Sequence, residues 1–308
     1  MGGKKRRQHY VWRHYLTAWE NENGRLYCLR DNKIFPASAR DVANIRDFYR
    51  LNELTTFDIE LITTVFIEHL GPPEVQKVNK DWIIYFNRIF EIKRTLEQKR
   101  KSSEEVKALF DLEINNIEEE LHNRIEDTGK PYLESLRKGD ASFYQDEQGK
   151  AEFNEFICTQ YFRTNVIKES FLRSMKFIPG NWSDFDPERI WNVLKYVFST
   201  NLGHQMSLPN NNFVCIILKN NTPTPFITGD QPVINTKADY NNLEQTNELE
   251  LYYPVSAKIA LLLLQSSKKW DDSIDIEEGE VQRYNDLIFK GSKKQVYANE
   301  VAVLNCFN

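Results

Sequence analysis

The stretch Gln8-His9-Tyr10-Val11-Trp12-Arg13-His14-Tyr15-Leu16 holds two histidines, two tyrosines, a tryptophan and an arginine among apolar neighbours. An imidazole titrates close to neutral pH, so His9 and His14 are candidates for a general base or a metal ligand beside an aromatic wall. The plainer account is that both satisfy a partly buried first helix. Phe226-Ile227-Thr228-Gly229-Asp230-Gln231-Pro232-Val233 sets a carboxylate at the end of an apolar strand, between a glycine and a proline turn. Sheets often present a catalytic or metal-binding acid there; an Asx-turn, in which the carboxylate bonds only nearby backbone N–H groups, is the alternative.

Arg40-Asp41 and Arg46-Asp47-Phe48-Tyr49 alternate in sign beside aromatic rings. Arg46 and Tyr49 suit a bound phosphate and Asp47 a metal, whereas a local salt bridge explains the same residues more simply. Glu60 and Glu68 lie eight positions apart on an expected helix, about 80° from one another around its axis, and so border one site. Glu68-His69 adds a ligand pair, with a solvated helix face as the other account. Gln160-Tyr161-Phe162-Arg163-Thr164 puts an arginine in an apolar helix, where a buried guanidinium must find an anion. An internal ion pair with one of these acids is the default expectation. There is no GxGxxG, Walker loop, HExxH, GxSxG or zinc-spaced Cys/His cluster, which argues against the common nucleotide-dependent enzymes and zinc hydrolases.

The elements that must position these residues belong to an ordinary globular chain. Its 308 residues, 41% hydrophobic and 28% charged, are enough for a core or two and exclude collagen-like, coiled-coil and fully disordered classes. A net charge of -5 gives no global basic field, so contact with nucleic acid requires a local patch such as Lys4 to Arg7. Apolar runs such as Ile259 to Leu264 fall far short of the roughly 20 residues of a membrane helix. The charged start runs into Gln8-His9-Tyr10 instead of an apolar segment, so no secretory signal is expected. Cys28, Cys158, Cys215 and Cys306 form no CxxC pair and read as reduced core thiols of a cytoplasmic protein.

Turns at Asn21-Glu22-Asn23-Gly24 and Asp31-Asn32-Lys33 frame a hairpin of Arg25 to Arg30 with Ile34-Phe35-Pro36. Ile59, Ile62, Phe66, Ile67 and Leu70 share a helical face that Gly71-Pro72-Pro73 ends. Residues 75 to 127 predict an antiparallel helical pair with solvated charged faces, its second member opened by Ser102-Ser103-Glu104-Glu105. Further helices are expected at 131 to 137, 148 to 176, 187 to 200 and 277 to 290. Residues 213 to 218 and 225 to 228 predict a buried hairpin, completed into an antiparallel sheet by 250 to 253, 259 to 264 and 295 to 304. The expectation is an α+β protein, one domain over 1 to 308, with a helical-pair protrusion at about 75 to 127 and residues 1 to 7 disordered.

Taken in order, these clusters resemble the bacterial domain-of-unknown-function family 4238. His9-Tyr10-Val11 with Tyr15-Leu16 through Trp19 is similar to the family's opening His-Tyr-Val-Pro segment and its following aromatics. Asp41-Val42-Ala43 leading to Asp47-Phe48-Tyr49, the glutamate-bearing Ile59-Glu60 to Ile67-Glu68, and Arg163-Thr164 follow as in the family. Its "pFitSDnPv" signature is similar to Pro225 through Val233, and its "fPLs" segment to Tyr253-Pro254-Val255-Ser256. Trp12 stands where the family usually has Pro, and Gly229 and Gln231 where it has Ser and Asn. The resemblance implies one shared fold and one shared polar site over nearly the whole chain, without a settled substrate.

The enzyme reading has His9, Asp230 and Arg163 as catalytic residues, with Mg²⁺ or Mn²⁺ on Asp230, Glu68 and Asp47 (Asp41 in reserve) and substrate held by Arg46, Tyr49 and His14. Such a set suits metal-activated hydrolysis of a phosphodiester, as in a nuclease acting as a toxin or phage-defence effector. The competing reading is a non-catalytic interaction or sensor module, its polar set a buried network and its helical pair a surface for another protein. A network closes on itself, whereas a site leaves Asp230 and His9 on an open pocket with unpaired lone pairs. The oligomeric state is left open.

Overall fold

A computed structural model describes residues 3–99, 103–175, 185–240, 246–268 and 270–308. The chain opens with β1 (Arg7–His9) and a short helix α1 (Arg13–Leu16), followed by strands β2 (Leu26–Arg30), β3 (Lys33–Ala37) and β4 (Asn44–Arg46). Asp31 and Asn32, with φ of 52° and 56°, make the tight turn of the β2–β3 hairpin, as expected of residues that tolerate the left-handed region. β1 pairs antiparallel with β4, Lys4 forms an ion pair with Asp111, and the Lys5 backbone exchanges hydrogen bonds with Asn115 and Asn116. Residues 3–7 are therefore held in place instead of disordered; residues 1 and 2 lie outside the described residues.

Helix α2 (Thr56–Leu61) begins with a capping box of Thr55 and Asp58 and passes into a π-helical segment, Ile62–Ile67. The expected helical pair is present as α3 (Pro73–Gln98) and α4 (Glu104–Arg137). Ser103 caps α4 through its hydroxyl, which accepts from the Val106 N–H. α4 continues through Pro131, so the separate helix expected at 131 to 137 is its last two turns. The buried Leu133 and Leu136 hold this stretch against the core despite the hydrogen bond that proline removes.

Next come α5 (Glu147–Phe162), α6 (Asn165–Met175) and α7 (Pro187–Ser207). The single helix expected at 148 to 176 breaks at Arg163-Thr164, where the Thr164 hydroxyl accepts from the Ile167 N–H and opens α6; residue 176 lies outside the described residues. α7 is capped by Asp186 and packs along α5 and α3. Its Arg189 grips Asp58 at 2.5 and 3.0 Å, fastening α2 to the bundle.

The last third supplies β5 (Phe213–Asn220), β6 (Thr228–Gly229), β7 (Ile234–Asn235), β8 (Glu250–Pro254), β9 (Ile259–Gln265), β10 (Ser273–Ile276), α8 (Glu278–Gly291), β11 (Val296–Ala298) and α9 (Val301–Leu304). One sheet has the order β10-β5-β9-β8-β7, antiparallel except for the parallel β10–β5 pair. The other, β3-β2-β11-β6, joins the N-terminal hairpin to the C-terminal strand. β5 and β6 are thus not a hairpin. Asn220 holds the intervening turn through Thr222 and Thr224, and the chain leaves β5 to pair β6 with β11 in the other sheet. The α+β architecture, helical in the middle with sheets built from the C-terminal third plus an N-terminal hairpin, is as the patterning predicts.

Gly129 on α4 sits where α5 crosses it, and a Cβ there would overlap the ring of Phe156, itself 1% exposed. Helix propensity favours Gly129→Ala by about 1 kcal/mol, but overpacking a buried ring costs about 1–3 kcal/mol. The substitution is therefore expected to destabilise the protein in urea unfolding; a gain in stability would show that α4 and α5 do not approach this closely.

Candidate functional site

Asp230 follows β6 at its turn into the loop before β7 and is 2% exposed. Its Oδ1 accepts from the Lys293 N–H at 2.8 Å and its Oδ2 from the Lys294 and Gln295 N–H groups at 2.8 and 3.2 Å. Burial raises the carboxyl above the usual range, and the three N–H donors oppose that shift. Both oxygens are engaged with the chain entering β11, so Asp230 anchors that strand beside β6. Neither expectation describes it: the carboxylate bonds only backbone N–H groups, but these lie 63 to 65 residues away, so it is a long-range anchor and not an Asx-turn.

Arg163 ends α5 and is 2% exposed. Its Nε donates to the Tyr49 hydroxyl oxygen at 2.9 Å, Nη1 to Glu126 at 2.5 Å and to Gln160 at 3.2 Å, and Nη2 to the His9 carbonyl at 2.8 Å. Tyr49 donates in turn to the same carbonyl at 3.0 Å. Burial works to lower the guanidinium pKa, but Tyr49 and Glu126 outweigh it and raise it. The expected internal ion pair exists, with a partner on α4 that was not among the acids singled out. Gln8, fully buried just before His9, completes the knot by bridging the Asn115 carbonyl and the Tyr49 N–H.

Beside this knot lies a cavity of about 260 Å³ lined by His9, Trp12, Arg13, His14, Glu119, His122, Asn123, Glu126 and Arg163. The His9 Nε2 lies 3.1 Å from the Arg40 carbonyl, which can only accept. Nε2 therefore carries the proton, leaving Nδ1 of the neutral ring a lone pair. Burial, with Arg163 nearby, lowers the His9 pKa and favours that neutral form. Glu119 is the counterpart: burial pushes its carboxyl up to about 7, with Arg163 opposing, and its Oε2 is buried with no hydrogen-bond partner among the described residues. The His122 ring, 1% exposed, has Nε2 3.1 Å from the Tyr196 hydroxyl and 3.4 Å from Glu118, while its Nδ1 is likewise unpartnered. Behind it Glu118 forms a buried ion pair with Lys195 and accepts from Asn192 at 2.6 Å. The cavity thus gathers groups whose protonation is set by burial, three of them, His14, Glu119 and His122, with buried polar atoms that find no hydrogen-bond partner among the described residues.

The other expected site residues lie elsewhere. Asp47, at φ 54°, faces the Arg46 guanidinium at 3.5 Å, the local salt bridge of the plainer account. Glu68 is exposed and pairs with Lys80 at 3.6 Å; the π-helical turns between Glu60 and Glu68 also break the 100° step on which their shared face depended. Asp41 bonds Ser38 and Arg7 at the surface. Asp230, Glu68 and Asp47 do not converge, and no group of three or more His, Cys, Asp or Glu among the described residues is arranged to hold a metal ion. Tyr49 belongs to the buried knot, whereas His14 does line the cavity, 3.7 Å from Glu134. Cys28 and Cys158 are buried, but Cys215 is only half-buried and Cys306 is exposed, so the core-thiol expectation fails for Cys306.

The sequence does not single out Glu119, His122 and Glu126, because the dense charge of α4 suggests a solvated helix. A signal was present: at 100° per residue Glu118 and His122 fall about 40° and 80° from Ile114, inside the stripe that also carries Leu121.

The sequence pattern of a family described as "Protein of unknown function (DUF4238)" matches residues 7–301, nearly the entire chain. The chain belongs to the DUF4238 family. No curated protein and no solved structure matches it. Against the DUF4238 pattern its departures have local explanations. Trp12 is a wall of the cavity, its ring 5.0 Å from His14 and 5.9 Å from Phe156. A Cβ at Gly229 would collide with the Ser292 hydroxyl. Gln231 accepts from the Thr164 hydroxyl and donates to the carbonyls of Val233 and Tyr161, latching this loop onto the break between α5 and α6.

Two stability measurements separate the anchor from the cavity. Asp230→Ala leaves three N–H groups without their acceptor and is expected to cost about 3 kcal/mol or more; unchanged stability would mean it does not hold β11. Glu119 keeps its proton in the folded state between pH 4.5 and about 7, where the unfolded chain loses it, so stability falls as pH rises through that window. Glu119→Gln is expected to remove this fall, with a gain of up to about 3 kcal/mol at pH 8 and little at pH 4. Equal stability of both proteins at both values would show that the carboxyl is not buried.

Proposed function

We propose that this DUF4238 protein is a hydrolase that works by acid–base catalysis at the cavity between α1, α4 and the end of α5. The observation that carries the reading is one cavity lined by a histidine fixed as a neutral base and a glutamate whose carboxyl is raised to about 7. Catalytic groups are most effective when their pKa lies near the working pH. In the proposed step the His9 Nδ1 takes a proton from water, and the resulting hydroxide attacks the ester phosphorus. The protonated Glu119 delivers its proton to the departing oxygen. Arg13, exposed at the rim, supplies a charge for the phosphate.

A phosphodiester is the substrate class expected here, although Lys4 and Arg7 are already paired with Asp111 and Asp41, which weakens a nucleic-acid patch at the N-terminus. Among the described residues no helix is long and apolar enough to cross a membrane. The four free cysteines favour the cytoplasm as its compartment. The second reading, a non-catalytic module, is favoured by the closure of Asp230 and Arg163, whose polar atoms are all partnered within the fold.

Turnover of bis(p-nitrophenyl) phosphate in EDTA tests the reading. The rate is expected to rise as His9 deprotonates below its ordinary pH range and to fall above about pH 7, with losses of ~100-fold in His9→Ala and Glu119→Gln. A reaction that needs added Mn²⁺ or Mg²⁺, or one that Glu119→Gln retains in full, would overturn the mechanism. Absence of turnover with all diesters would leave the non-catalytic module.

A further inference from the structure

On the side of α3 turned away from its buried residues, an apolar stripe lies open. Ile84 is 62% exposed, Val78 45%, Ile92 44% and Tyr85 37%, and a groove of about 520 Å³ runs between this stripe and Ile117 of α4. Measured around the axis from Ile84, Arg88 falls at about 40°, Asp81 at about 60°, Ile92 at about 80° and Tyr85 at about 100°. The two charges therefore sit within the stripe instead of on the opposite, solvated face. Both are exposed, and neither has an ion-pair partner among the described residues.

Their placement carries the argument. Asp81 and Arg88, the two charges that line the groove, stand three residues to either side of the Ile84-Tyr85 step and are complementary about it, while the exposed Lys77 and Glu91, each about 20° from Ile84, mirror the positions of Ile92 and Val78 about the same step. We infer that α3 is the interface of a two-fold dimer, in which a second copy of the chain lays its α3 antiparallel across the groove. An axis through the Ile84-Tyr85 step brings Asp81 of each copy onto Arg88 of the other, so one face makes two ion pairs around a centre of isoleucine and tyrosine. A parallel arrangement would set Asp81 on Asp81 and Arg88 on Arg88, which the same charges oppose. The inference is independent of the proposed hydrolysis, because none of these residues lines the cavity of His9 and Glu119.

Sedimentation velocity on the full chain tests it. The wild type is expected to show a concentration-dependent dimer below ~100 µM. Asp81→Arg and Arg88→Asp, each of which sets like charges together at both ends of the interface, are expected to weaken association by about tenfold or more. The double variant Asp81→Arg/Arg88→Asp restores complementarity and is expected to dimerise again. A mixture of the two single variants is expected to form a heterodimer, since one then lines the groove with two cations and the other with two anions. Rescue in these last two samples cannot arise from misfolding. A wild type that stays monomeric up to ~100 µM, or single variants that dimerise as well as the wild type, would overturn the inference.

Discussion

A guanidinium stays charged under any condition in which the chain is folded, so burying Arg163 obliges the fold to bring it acceptors. Those acceptors come from four places in the sequence: the His9 carbonyl at the end of β1, the Tyr49 hydroxyl after β4, Glu126 on α4 and Gln160 on α5. Desolvating each ion costs several kcal/mol, and only good geometry with every donor used offsets that. The N-terminal segment, the long helix and the central helix are therefore registered against one another by one side chain. The ring of His9 and the carboxyl of Glu119 acquire their positions from that registration.

Two populations of buried polar groups follow. Asp230, Arg163, Gln231 and Asp58 are saturated, and each fastens elements that are distant in sequence: β6 to β11, α5 to β1, the β6–β7 loop to the α5–α6 break, and α2 to α7. Glu119, half-buried with its Oε2 inside, and His122, fully buried, keep an oxygen and a nitrogen unused beside a cavity. Saturated groups specify a structure, whereas an unsaturated buried group carries a desolvation cost that a structural role does not explain. Unpartnered buried atoms also occur away from the cavity, at Asn79, Trp191 and Tyr252, so what distinguishes Glu119 and His122 is that theirs gather on one cavity.

Much of the architecture is legible in periodicity: the β2–β3 hairpin, the α3–α4 pair with its Ser103 cap, and the strands β8 and β9 all fall where spacing and turn chemistry put them. What periodicity does not encode is partnership. The apolar runs of β5 and β6 identify strands but not neighbours, and the turn held by Asn220 sends them into different sheets. Arg163 in its apolar helix reads as a buried cation in search of an anion, yet Glu126 looks like any surface glutamate until α5 lies against α4. The carboxylates of Asp230, Glu68 and Asp47 failed as a set for the same reason: each is plausible alone, and their separation is a property of the tertiary fold. Glu118 and His122 could have been found by counting 100° per residue along α4, since a glutamate inside an apolar stripe requires a partner, here Lys195 of α7.

The chemistry of the cavity then rests on a symmetry of burial. Removing water penalises whichever form of a group is charged, so it lowers the pKa of His9 and raises that of Glu119. In water a histidine and a glutamate are mismatched by about two units, with the glutamate far too acidic to keep a proton at neutral pH. Burial in one cavity reverses the order, making the carboxyl the proton holder and the imidazole the proton acceptor. Arg163 tempers the reversal by favouring the glutamate anion while reinforcing the neutral imidazole. Desolvation, not the guanidinium, keeps the proton on Glu119, whereas desolvation and Arg163 together keep His9 neutral, and these are the starting states that the proposed acid–base hydrolysis requires.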